Sequence, residues 1–156
     1  MKIERVGEAE LPELLPLVRA YCDFYESSPS DEDLLALARA LIAEPEHEGL
    51  QLLARDPGGR PVGFATIYWS WATSAAVRIG IMNDLFVAPE ARGSGVAEAL
   101  IEACRAECAA RGASRLTWQT APDNERAMKV YDRVGGTREQ WVDYWLPAGG
   151  PAMEAE

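Results

Sequence analysis

Leu85-Phe86-Val87-Ala88-Pro89-Glu90-Ala91-Arg92-Gly93-Ser94-Gly95-Val96-Ala97 runs from an apolar, β-prone segment through a proline into a loop where two glycines flank a serine. An alanine-rich apolar segment follows. The pattern predicts a strand, a tight loop and the first turn of a helix. Amides at such a helix start point outward, and the helix dipole favours an anion beside them. The loop therefore reads as a phosphate cradle, the alternative being a connection whose glycines only permit a sharp turn. A nucleotide-binding P-loop would end in Gly-Lys-Ser/Thr, which is absent here. A dinucleotide fold would set its glycines near the start of the chain in a parallel βαβ unit. Here they lie past the midpoint and follow hairpin signals.

Lys2 to Val6 alternates as a short strand. Leu11, Leu14, Leu15, Val18, Tyr21, Cys22 and Tyr25 recur at helical spacing between Glu10 and Tyr25. Ser27-Ser28-Pro29-Ser30 breaks that helix, and Ser30 or Asp31 caps a second one carrying Leu34, Leu35, Leu37, Ala38, Leu41 and Ile42. Leu50–Arg55 and Val62–Trp71 read as a hairpin about Asp56-Pro57-Gly58-Gly59. Arg78–Val87 is a long strand feeding the glycine loop, and the helix from Ser94 to Arg111 stops at Gly112. A strand over Arg115–Gln119, a helix from Pro122 to Val134 and a bent strand or strand pair over Thr137–Leu146 complete the pattern. The expectation is one α/β (α+β) domain over residues 1–147, with a mixed, mainly antiparallel sheet, about four helices and a frayed tail over 148–156.

Composition narrows the function. The chain has 156 residues, with 15 Lys+Arg against 25 Asp+Glu, for a formal charge of −10. A nucleic-acid partner would need a basic face, so none is expected. An acidic surface suits cationic substrates or plain solubility. Cys22, Cys104 and Cys108 are too few for a disulfide framework, and with His47 alone in a polar connection no metal site is expected. The segment Met1-Lys2-Ile3-Glu4-Arg5 lacks the apolar core of a signal peptide, and no apolar run is long enough to span a bilayer. A cytoplasmic protein without membrane contact is the expectation.

The order of elements and the loop together resemble the GNAT superfamily of N-acetyltransferases. Its Arg/Gln-x-x-Gly-x-Gly/Ala signature is matched by Arg92-Gly93-Ser94-Gly95-Val96-Ala97. The resemblance spans Ile3 to about Leu146. It implies the GNAT fold with splayed central strands, and acetyl-CoA as the ligand. Amides of Arg92, Gly93, Gly95 and Ala97 would meet the pyrophosphate, within a loop that also includes Ser94 and Val96, and Arg92 would add a charge-assisted contact. Main-chain groups of Leu85, Phe86 and Val87 would pair with the pantetheine arm.

Pro122-Asp123-Asn124-Glu125-Arg126-Ala127-Met128-Lys129-Val130-Tyr131 resembles the superfamily's second signature, an Asn followed seven residues later by a Tyr. Two helical turns put Asn124 and Tyr131 on one face. By resemblance, Asn124 would contact the cofactor arm and Tyr131 would protonate the leaving thiolate. Asn124 also reads as a helix cap, and Tyr131 as a core aromatic. Gly135-Gly136-Thr137 stands where the superfamily has Gly-Phe.

For the general base, the strand before the loop offers Asp84. Similar polyamine acetyltransferases carry Glu-Asp where this chain has Asn83-Asp84. Strand alternation sends Asn83 and Asp84 to opposite faces, so Asp84 does not simply replace that Glu. Proton loss through water and a purely structural Asp84 stay open. Acceptor contacts are expected from Tyr21, Phe24, Tyr25, Glu26, Trp69 and Asn83, since aromatics beside carboxylates hold cationic amines. Trp141, Tyr144 and Trp145 suit a pocket wall or a homodimer contact. The resemblance implies an acetyl-CoA-dependent N-acetyltransferase of a small or polyamine-like primary amine. Protein or peptide acetylation, and a non-catalytic acyl-CoA sensor, are the alternatives.

Overall fold

A computed structural model describes residues 1–149. The order is β1 (Lys2–Arg5), α1 (Leu11–Phe24), α2 (Asp31–Ala43), β2 (Gly49–Arg55), β3 (Pro61–Ala72), β4 (Val77–Val87), α3 (Val96–Ala110), β5 (Leu116–Thr117) and α4 (Glu125–Arg133), with short 3-10 turns at Glu8–Glu10 and Pro89–Ala91. The strands line up β1-β2-β3-β4-β5. Every pair is antiparallel except β4–β5, which runs parallel. This is the mixed, mainly antiparallel sheet with four helices that the sequence predicts.

Alternation along the strands divides the core in two. Leu53, Phe64 and Phe86 pack on Leu11, Leu14 and Leu17 of α1 and Ala38 of α2. On the other face Leu52, Ala54, Val62, Ala65, Ile67 and Met82 pack on Leu100, Ile101, Cys104 and Cys108 of α3. Close approach of α3 requires Gly80, where a Cβ would sit 2.4 Å from the Cys108 sulfur. The cysteines thus serve packing. Ser30 caps α2 by accepting the Asp33 amide at 3.1 Å. No helix among the described residues is long and apolar enough to cross a membrane.

The feature that positions the site is the short β4–β5 ladder. It pairs only Gly80 with Leu116 and Ile81 with Thr117. Beyond Ile81 the two strands part, and the β4 edge from Met82 to Val87 faces an open V while its other edge stays bound to β3.

Two expectations need correction. The strand over Thr137–Leu146 does not form. Trp141, Val142, Tyr144, Trp145 and Leu146 are instead 78–92% exposed. Their composition is β-prone, but β-propensity is expressed only where a neighbouring strand supplies a ladder and a face to bury, and β5 has just two residues in the sheet. The second correction concerns Asn83 and Asp84. The register pairs Thr66 with Asp84 but Ile67 with Met82, which leaves Asn83 as the extra residue of a β-bulge. Alternation breaks there, so the two residues do not point to opposite faces. The tail expected over 148–156 falls, from residue 150 onward, outside the described residues.

Candidate active site

At the mouth of the V the glycine loop is built by conformation. Gly93 and Gly95 have φ of +79° and +83°, the left-handed region that favours glycine. Gly95 is also the residue before the first turn of α3, where no side chain caps the helix. Amides of residues 93–97 therefore donate to no acceptor among the described residues. Unpaired donors at the positive end of a fifteen-residue helix are what a pyrophosphate requires. The Arg92 Nε donates to the Val87 carbonyl at 3.0 Å, anchoring the arginine over the end of β4. Ser94 Oγ donates to the Ala91 carbonyl at 2.5 Å and tightens the turn. Leu85, Phe86 and Val87 form the open β4 edge just before it.

On the α1–α2 side of the sheet a polar row crosses three strands. Gln51 of β2 pairs with Thr66 of β3, and Thr66 pairs with Asp84 of β4. Directly opposed residues share a face, so the three sit side by side at ~5 Å intervals. Gln51 Nε2 donates to Thr66 Oγ1 at 3.2 Å, and Asn83 Nδ2 donates to Asp84 Oδ1 at 3.0 Å. The two ends of this row, Gln51 and Asp84, floor a cavity of about 150 Å³, which Tyr21, Tyr68 and Asn83 also line. The bulge is what brings Asn83 and Asp84 to the same cavity.

Two phenols line the cavity beside Asp84. Tyr21 lines the cavity beside Asp84, and burial together with that carboxylate holds its pKa well above the usual phenol value. Burial, and then Asp84, also raises Tyr68. Tyr21 stacks edge-on against Tyr25, with centroids 4.9 Å apart. Tyr131 is half-buried, with its ring 5.3 Å from Trp118. Burial raises the Tyr131 phenol, Tyr25 adds to this, and the Thr120 hydroxyl opposes it. Tyr131 thus stays protonated. Asn124 caps α4, accepting the Ala127 amide at 3.2 Å.

The other residues expected at the site divide. Tyr21, Asn83 and Asp84 meet at the cavity, and Tyr25 packs against Tyr21. Phe24 and Glu26 are exposed at the end of α1, and Glu26 adopts φ of +54°. Neither lines the cavity. Trp69 lies on the opposite face, buried in the α3 core, with its Nε1 donating to the Pro45 carbonyl at 2.9 Å and its ring under Arg111. Its neighbour Tyr68 faces the cavity instead, as alternation requires. Trp141, Tyr144 and Trp145 line no part of it. Gln51 went unnoticed in the sequence because a polar residue within Leu50–Arg55 looks like the exposed half of a strand.

A profile of the Acetyltransferase (GNAT) family matches residues 14–136. An uncharacterized N-acetyltransferase of Bacillus subtilis, YhfO, is 30% identical over 135 residues, covering 86% of this chain and 89% of the relative. The thialysine N-epsilon-acetyltransferase of Bos taurus is 31% identical over 154 residues, covering 92% and 88%. Among solved structures, a probable acetyltransferase superposes with a TM-score of 0.83 at 29% identity, covering 97% of this chain and all of the other. The aminoglycoside N-acetyltransferase AAC(6')-Iy in complex with CoA has the same fold, with a TM-score of 0.80 at 20% identity and coverage of 95% of each chain.

Proposed function

The chain belongs to the acetyltransferase (GNAT) family and is an acetyl-CoA-dependent N-acetyltransferase, and we propose that Asp84 and Tyr131 serve it as general base and general acid for a primary amine. Acetyl-CoA supplies an acetyl group activated as a thioester. The residues present suit it: unpaired amides over 93–97 for the pyrophosphate, Arg92 beside them, and the free edge of Leu85, Phe86 and Val87 for the arm. Asn124 is engaged as a cap through its side-chain oxygen, and its Nδ2 is free to reach the arm.

The observation that supports the assignment is the placement of Asp84 in the cavity beside Tyr21, and of Tyr131 on α4 against Trp118 with its phenol kept protonated by burial. A primary amine has a pKa of about 10 and is an ammonium at neutral pH. Asp84 attracts that ammonium and accepts its proton. The freed nitrogen lone pair attacks the acetyl carbonyl carbon, the carbon–sulfur bond breaks, and Tyr131 delivers its proton to the sulfur. Tyr21, beside Asp84 at the cavity and kept a neutral phenol by burial, competes for no proton.

Amine-stimulated thiol release from acetyl-CoA tests this reading. Asp84→Asn is expected to slow release at least about tenfold at pH 7, because the amine must then lose its proton unaided. The deficit should shrink as pH rises toward the amine's own pKa. A deficit that stays constant with pH would remove Asp84 from the base role.

The loop makes a separate prediction. Gly95→Val puts a β-branched residue at φ of +83°, a conformation costing roughly 1–3 kcal/mol. The loop must rearrange, and calorimetric titration should show acetyl-CoA binding weakened about tenfold or more. Unchanged affinity would place the pyrophosphate elsewhere.

A further inference from the structure

The cavity above Asp84 is polar on its floor and apolar everywhere else. Leu14, Leu15 and Val18 of α1 and Leu34, Leu35 and Ala38 of α2 form its walls. Asp84 is the one carboxylate, and the one charged group, among its lining residues. The remaining polar groups of the floor are neutral: the amides of Gln51 and Asn83 and the phenols of Tyr21 and Tyr68. The Gln51 Oε1 is buried without a donor, so the far end of the floor offers a dipole and no charge. The acidic cluster Asp31, Glu32 and Asp33 lies on exposed surface at the start of α2 and does not line the cavity.

One negative charge satisfies one ammonium. A second cationic centre on the same acceptor would be stripped of water among leucines with no counter-charge, a heavily unfavourable burial. An apolar body gains from the same walls. A volume of about 150 Å³ lined by aliphatic side chains is the size that holds benzene. Resting on the amine-acetyltransferase reading above, we propose that the acceptor is a primary monoamine with a compact aliphatic or aromatic body, and that this cavity excludes polycationic amines.

The decisive comparison is n-pentylamine against cadaverine, matched in carbon chain and differing by a second ammonium, with benzylamine and spermidine as a second pair. Thiol release from acetyl-CoA by the full chain is expected to give kcat/KM at least about 30-fold higher for n-pentylamine than for cadaverine, although cadaverine offers two reactive ends. Benzylamine should exceed spermidine likewise. Equal or better use of the diamine overturns the inference while leaving the acetyltransferase reading intact. Release stimulated by no amine, with acetyl-CoA still bound by calorimetry, overturns that reading and the inference with it. Leu15→Glu, at a partly exposed wall position, adds the missing counter-charge and should shift the pentylamine-to-cadaverine ratio about tenfold or more toward cadaverine. A folded Leu15→Glu protein with the ratio unmoved would show that the acceptor does not occupy this cavity.

Discussion

Tyr131→Phe is expected to lower kcat by about 10²- to 10⁴-fold, the range for a positioned general acid, while acetyl-CoA affinity holds. The substitution keeps the ring, which packs 5.3 Å from Trp118, and removes only the hydroxyl. Binding should persist because the loop amides and the β4 edge lie on other elements. The pH dependence follows from the direction of the shift. An acid functions while protonated, and burial and Tyr25 place the Tyr131 pKa above its ordinary value of 10.0. Its limb of the kcat profile is therefore flat through neutral pH and falls only as pH rises through that raised value. Single-turnover rates, in which chemistry limits, provide the check. Full turnover by the phenylalanine enzyme would assign the proton to solvent or to another group.

Phe64→Ala should cost about 3–5 kcal/mol of stability, the usual range for removing a buried aromatic side chain. Phe64 is 1% exposed, and its ring lies 5.8 Å from Tyr21 and 6.1 Å from Phe86. Against a typical total of about 5–15 kcal/mol, that loss is large. Tm should fall by roughly 6–20 °C, at about 2–4 °C per kcal/mol for a chain of this size. A functional effect is also expected, because Phe64 supports the Tyr21 ring that lines the cavity with Asp84. KM for the amine should rise at temperatures where the variant is folded. Leu100→Ala separates the two effects, since Leu100 is fully buried on the α3 face, away from Tyr21. It should destabilise comparably without moving that KM. Denaturant unfolding gives the stabilities, and a Phe64→Ala loss below about 1 kcal/mol would contradict the packing described.

Much of the site was legible because its signals are local. Gly93 and Gly95 are required by a backbone conformation that glycine supplies, and Asn124 by a cap three residues from its target. The spacing of Tyr131 follows from the helical period. Trp69 and Asn83 could not be placed by the same means. A single extra residue in β4 reverses the face of whatever follows it, and no residue type at Asn83-Asp84 announces the bulge. Trp69 is expected beside the acceptor as an aromatic able to hold a cationic amine. Only the register between strands shows that adjacency along a strand means opposite faces of the sheet. The C-terminal segment shows a different limit. Its β-prone residues from Thr137 to Leu146 form no strand, since a ladder needs a neighbour as well as a propensity.

The glycine loop, the helix that follows it and the donor they imply were determined by the sequence alone, because short-range backbone geometry dictates residue type there. The cavity proposed for the acceptor was decided only by tertiary structure. Gln51, Thr66 and Asp84 are scattered along the chain and meet through strand pairing, and the leucines above them read in sequence as ordinary core. The charge of that cavity, one carboxylate beneath an apolar roof, is a property of the packing of α1 and α2 on the sheet. Composition averages over the whole surface and could not reveal it.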